Sequence, residues 1–192
     1  MKTVLRKIRE KIRPVYRKKA DWLHALRVSR NSKKVAIKLG ANQFVAESGG
    51  LLHDLGVAKF GRKSHHITGV KAAAIVLLSC GCPLKYIGPI LGAIYSHRAS
   101  ERIPFQTQAA KCVAAADALD HFMHLEKTWV AQTTKRGASK AKAFKKVLEK
   151  LEKNWAKIDP GIRHLFNGTY EKAKKELTRL ASIKRATRKN RL

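Results

Sequence analysis

Apolar residues recur along this chain at helical spacing from one end to the other, and the strict alternation of a half-buried strand is absent. Residues 5–19 read as a basic amphipathic helix bent at Pro14, with Val4, Leu5, Ile8, Ile12 and Val15 on one side. Asp21 is placed to cap a helix running to about Leu39, with Gly40 as its stop. Asn42 opens the next, which ends at His53-Asp54 and Gly56. A polar loop over 59–64 leads into a helix over 65–79, and Pro83 starts another that ends near His97. Beyond a loop at 101–104 lies the apolar segment 105–125. The polar stretch 133–139 precedes two lysine-rich helices, 140–158 and 162–183, parted by Asp159-Pro160-Gly161. The pattern predicts an all-α bundle with no glycine-rich phosphate loop and no internal repeat.

Length and composition refine this little. A chain of 192 residues with 44% hydrophobic content can bury one sizeable core. No apolar run is long and charge-free enough to span a bilayer; 72–78 stops at a Cys-Gly-Cys-Pro turn. Cys80, Cys82 and Cys112 are too few and too unevenly spaced for a disulfide framework or a structural zinc site. A reducing compartment, the cytoplasm, is therefore expected. The basic N-terminus has some transit-peptide character, but its apolar face suits a helix docked on the mature protein.

Charge changes the picture more. The formal net charge is +29, distributed as +8 over residues 1–20, +6 over 21–126 and +15 over 127–192. The excess thus sits at the ends of a moderately basic middle, giving three regions: a basic N-terminal helix, a core, and a basic helical extension. Such self-repulsion points to a polyanionic partner, RNA above all. Lys184, Arg185, Arg188, Lys189 and Arg191 in the tail are candidate phosphate contacts.

The candidate chemistry lies in the middle region. His24, His53-Asp54, His65, His97 and Asp117 each fall in or at the end of a separate apolar segment. Imidazoles and carboxylates form the ligand set of a borderline divalent metal. Their local strings are Asp21-Trp22-Leu23-His24, Leu51-Leu52-His53-Asp54-Leu55-Gly56 and Ala114-Ala115-Ala116-Asp117-Ala118-Leu119, with His65 four residues before Gly69 and His97 after Ser96. Over residues 20–125 this order resembles the HD superfamily of metal-dependent phosphohydrolases, including the HD domains of ribonuclease Y, HD-GYP phosphodiesterases and HD-type dinucleoside polyphosphate hydrolases.

That resemblance implies a binuclear centre of iron, manganese or a similar metal. Asp54 would bridge, His24, His53 and Asp117 would complete one ion, and His65 and His97 would hold the other. His66 competes with His65, which the spacing to Gly69 favours. Arg62, Arg98 and Arg102 would grip substrate phosphate. Some relatives carry a catalytic lysine directly after His-Asp-Ile-Gly; Val57 stands there, and Lys59 is the nearest replacement. Val57 and Ala58 also replace the Glu-Asp pair of alarmone hydrolases, and the Gly-Tyr-Pro signature is absent. His121, His124 and His164 read as hydrogen-bonded core residues, and Trp129 and Trp155 as packing rather than base-stacking. The expected activity is hydrolysis of a phosphoester in RNA or a nucleotide. The competing readings are a non-catalytic RNA or ribonucleoprotein scaffold and a small-nucleotide phosphatase.

Overall fold

Alanine and other small apolar residues occupy every side of the segment that becomes the central helix. The computed structural model describes residues 1–98 and 103–183, and no strand occurs among them. Helices α1 (Lys2–Ile12), α2 (Lys19–Lys38), α3 (Gln43–Leu52), α4 (Leu55–Phe60), α5 (His65–Ser79) and α6 (Leu84–Ser96) precede the central α7 (Gln108–Met123). Then follow α8 (Leu125–Val130), α9 (Lys140–Lys157), the short α10 (Pro160–Arg163) and α11 (Asn167–Ser182). In α7 the residues Ala109, Ala110, Cys112, Val113, Ala114, Ala115, Ala116 and Ala118 are all buried, so neighbours close on it from several directions. α2, α3 and α6 pack on one part of it, and α9 and α11 on another.

One buried apolar cluster runs from Leu5, Ile8 and Ile12 of α1 through the middle of the chain to Leu177 of α11. The basic N-terminal helix is therefore docked by the apolar side read in its sequence, and the lysine-rich helices share the same core. All three cysteines are unbridged and buried.

Several local expectations are corrected. Asp21 does not cap α2, which starts at Lys19 and holds Asp21 in its first turn, where a carboxylate still favours the helix dipole. Asn42 does cap α3, accepting from Val45 N–H at 3.0 Å. α3 ends at Leu52, so His53 and Asp54 follow it as expected, but a further short helix, α4, stands where the end of that helix and the start of the polar loop were read. α7 begins at the Thr107 cap instead of position 105. Helix continues through α8 and a wide turn over Ala131–Lys135 into the first residues of the polar boundary, whose remainder, 136–139, is non-helical as expected. The last expected helix is divided by a tighter turn at His164–Phe166.

Candidate metal centre

Two close helix contacts assemble the centre. A Cβ on Gly50 would lie 2.5 Å from Ser32 Oγ and 3.0 Å from the Val28 carbonyl, so α3 settles on α2 and brings His53 to His24. A Cβ on Gly56 would lie 2.3 Å from the His65 carbonyl and 2.7 Å from Gly69 N. This contact sets the start of α5, hence His65, beside Asp54. The Gly69 spacing seen in the sequence thus has a packing cause.

The side chains form two adjoining groups, His24–His53–Asp117 and Asp54–His65–His97. Asp54 lies between them. Its Oδ1 is 3.8 Å from His65 Nε2 and 3.7 Å from His97 Nε2, while its Oδ2 is 3.6 Å from His53 Nε2 and 3.9 Å from His24 Nε2. Asp117 Oδ1 is 3.2 Å from His24 Nε2 and 3.8 Å from His53 Nε2.

All four imidazoles are fixed through Nδ1. His53 donates to the Gly50 carbonyl at 2.8 Å, His65 to the Arg62 carbonyl at 2.9 Å, and His97 to the Ile94 carbonyl. Gly50 and Ile94 lie in the last turns of α3 and α6, where carbonyls lack helical partners. His24 instead donates to Asp120 Oδ2 at 2.7 Å. Asp120 is itself gripped by Arg27, at 2.6 Å through Nε and 3.0 Å through Nη2. With Nδ1 used in this way, each Nε2 lone pair is left for the interior.

The electrostatics suit a cation. Burial opposes charge on Asp54, yet His53 and His97 hold its carboxyl well below the usual range. Burial likewise opposes charge on Asp117, yet Lys157, His121 and His24 keep it ionised. Burial also works against a charged His24, but Asp117 and Asp120 outweigh it and raise its pKa to about 10. For His53 burial outweighs the pull of Asp54 and Asp117 and drives its pKa down to about 4. A proton on His24 therefore occupies ground that a metal would take. Asp117 Oδ1 is buried without a hydrogen-bond donor, an expensive state unless a cation meets it. Donor type, convergence and the orphaned oxygen all fit a divalent metal.

A cleft of about 690 Å³ opens over the centre, lined by Asp54, Arg62, His65, His97, Arg98 and Asp117 from the core and by Lys150, Lys153 and Lys157 from α9. Arg62 and Arg98 thus face the space where the sequence placed phosphate contacts. Arg102 and the tail cations Lys184, Arg185, Arg188, Lys189 and Arg191 lie outside the described residues. Lys59 is not brought to the cleft: it is exposed, with its ammonium 5.3 Å from the Phe60 ring centre. Five residues beyond Asp54 turn a helix about 140° away, which accounts for its direction. His66 is buried and points to Arg98, with Nδ1 3.1 Å from Nη1, and His65 joins the centre.

Sequence reasoning missed several contributors. His121 stacks on His24, with ring centres 5.3 Å apart, and its Nε2 is 3.6 Å from Asp117 Oδ1. Burial outweighs the pull of Asp117 and lowers its pKa to about 4. His121 is thus part of the centre rather than of the apolar core. His164 is exposed, also against expectation, whereas half-buried His124 does donate to the Asp120 carbonyl. Asp120 and His121 follow Asp117 at the i+3 and i+4 positions of one helix face, a spacing that could have found them. Nothing local marks Lys157, whose ammonium pairs with Asp117 Oδ2 from forty residues away. Trp155 has Tyr170 stacked on it at 4.3 Å and Arg163 over it at 5.5 Å, and Trp129 is buried. Both tryptophans pack, as their sequence setting suggested.

No curated protein sequence matches the chain. Its fold resembles that in the crystal structure of Bacillus subtilis YpgQ, with a TM-score of 0.71 and 21% identity, over 92% of this chain and 93% of that one. The HD domain family matches residues 22–121, the stretch that holds every proposed ligand. The chain therefore belongs to the HD domain family, within the superfamily of metal-dependent phosphohydrolases.

Proposed function

We propose that this protein hydrolyses a phosphoester in RNA or a nucleotide at a centre of two divalent cations that share Asp54. The observation that carries this reading is the division of that carboxylate, with Oδ1 towards His65 and His97 and Oδ2 towards His24 and His53. His24, His53, Asp54 and Asp117 would hold one ion, and Asp54, His65 and His97 the other. A mixed nitrogen and oxygen set suits iron, manganese or a similar metal. Such cations supply Lewis-acid polarisation of a phosphoryl oxygen and activation of water.

The protein's own residues supply position. The Nδ1 bonds fix four imidazole planes in advance, so little reorganisation is needed when a ligand arrives. Arg62 and Arg98, at the cleft wall, have the planar fork that meets phosphate oxygens in pairs. The +29 charge supports a polyanionic substrate or partner, and RNA fits it best.

Asp54→Ala tests the reading, because it removes the group common to both halves. Wild type supplied with metal should hydrolyse a member of a panel of RNA, cyclic nucleotides and phosphomonoesters. Folded Asp54→Ala should lose that activity by at least about a thousandfold. Wild-type-like turnover by the variant would refute the assignment. Inactivity of the loaded wild type across the panel would favour the scaffold reading.

A further inference from the structure

Helix α9 sends a row of lysines to the cleft. Lys150, Lys153 and Lys157 stand at i, i+3 and i+7, on one side of the helix, and all three line the cleft with Asp54 and Asp117. The row is about 10 Å long. It is held there because Ala143, Val147, Leu151 and Asn154 of α9 are buried against the rest of the fold.

The three lysines are not equivalent. The Lys157 side chain is 4% exposed and its ammonium is committed to Asp117 Oδ2. That pairing turns Asp117 Oδ1 towards His24 and His53, making Lys157 a positioning residue. Lys150 and Lys153 are exposed to the cleft and form no ion pair among the described residues. With Arg62, they add positive charge to a cleft in which Asp117 is already paired with Lys157 and Asp54 with the imidazoles. A single phosphate at the histidine–aspartate centre would leave this outer charge unanswered.

We propose that Lys150 and Lys153, with Arg62, bind a second phosphate group of the substrate, so that the site selects a phosphate chain or strand over a lone phosphomonoester. The proposal rests on the phosphohydrolase reading, but binding tests it without turnover. Manganese-supplemented protein is titrated calorimetrically with inorganic tripolyphosphate and with orthophosphate. Wild type should bind tripolyphosphate more tightly. Lys150→Gln/Lys153→Gln should lose about tenfold or more in tripolyphosphate affinity, with orthophosphate affinity and metal content unchanged. Lys145→Gln, exposed on the same helix and outside the cleft, should match wild type. Competition of the bound tripolyphosphate by a nucleoside triphosphate or by a short 5′-phosphorylated RNA then identifies the source of the second phosphate. Unchanged tripolyphosphate binding in the double variant, equal loss of both anions, or no preference in wild type overturns the proposal. A wild type that shows the predicted binding but hydrolyses nothing would sink the catalytic reading instead.

Discussion

Each imidazole of the centre has one nitrogen committed to the scaffold and the other to the interior. Three use a carbonyl three residues back; His24 alone relies on a side chain, Asp120, that Arg27 holds from the other side. Asp120→Asn should therefore weaken metal binding by about 10–100-fold, as loss of such a supporting carboxylate does. Competition with a chromogenic chelator reads this directly, and unchanged affinity would remove Asp120 from the account. At this scale the sequence was informative wherever chemistry and local order coincide. His24, His53, Asp54, His65, His97 and Asp117 were all legible, and the fold brings all six together. Lys59 misled because nearness along the chain was taken for nearness in space.

Helix by helix, the centre depends on close approaches more than on long apolar faces. α4 is only six residues long, and its position follows from the Gly56–Gly69 contact. Gly56→Ala should force backbone apart, costing about 1–3 kcal/mol of stability, and should displace His65. Thermal unfolding together with metal analysis tests both halves of this. A variant with wild-type melting temperature and full metal content would show that α5 absorbs the methyl group. Most helices were visible as periodicity, and so was the end of α3 at His53-Asp54; the short α4 was not, since its six residues straddle the expected helix end at Gly56 and the start of the polar loop at 59. The role of α9 was hidden for a different reason. Its seven lysines read only as part of the basic extension, and docking against α7 decides which of them turn towards Asp117.

For the whole molecule, one large apolar cluster joins segments that differ greatly in charge. Its interior explains the fold; the +29 charge does not, and the proposed reason for it is a polyanionic partner. If that partner is single-stranded RNA, the log of affinity should fall with the log of salt by about 0.7 for each phosphate neutralised. Removing residues 184–192, which carry five cations and no acid, should flatten the slope and leave metal content unchanged. Fluorescence anisotropy over a salt series measures it. A slope indifferent to salt or to the truncation would assign the charge to something other than nucleic acid.

The most direct test of the account is the number of metal ions in fully loaded, active protein, measured by elemental analysis against chain concentration. Two equivalents are predicted, because Asp54 turns one oxygen to His24 and His53 and the other to His65 and His97. His65→Ala/His97→Ala should reduce the count to one. A fully active wild type holding a single equivalent would contradict the shared role of Asp54.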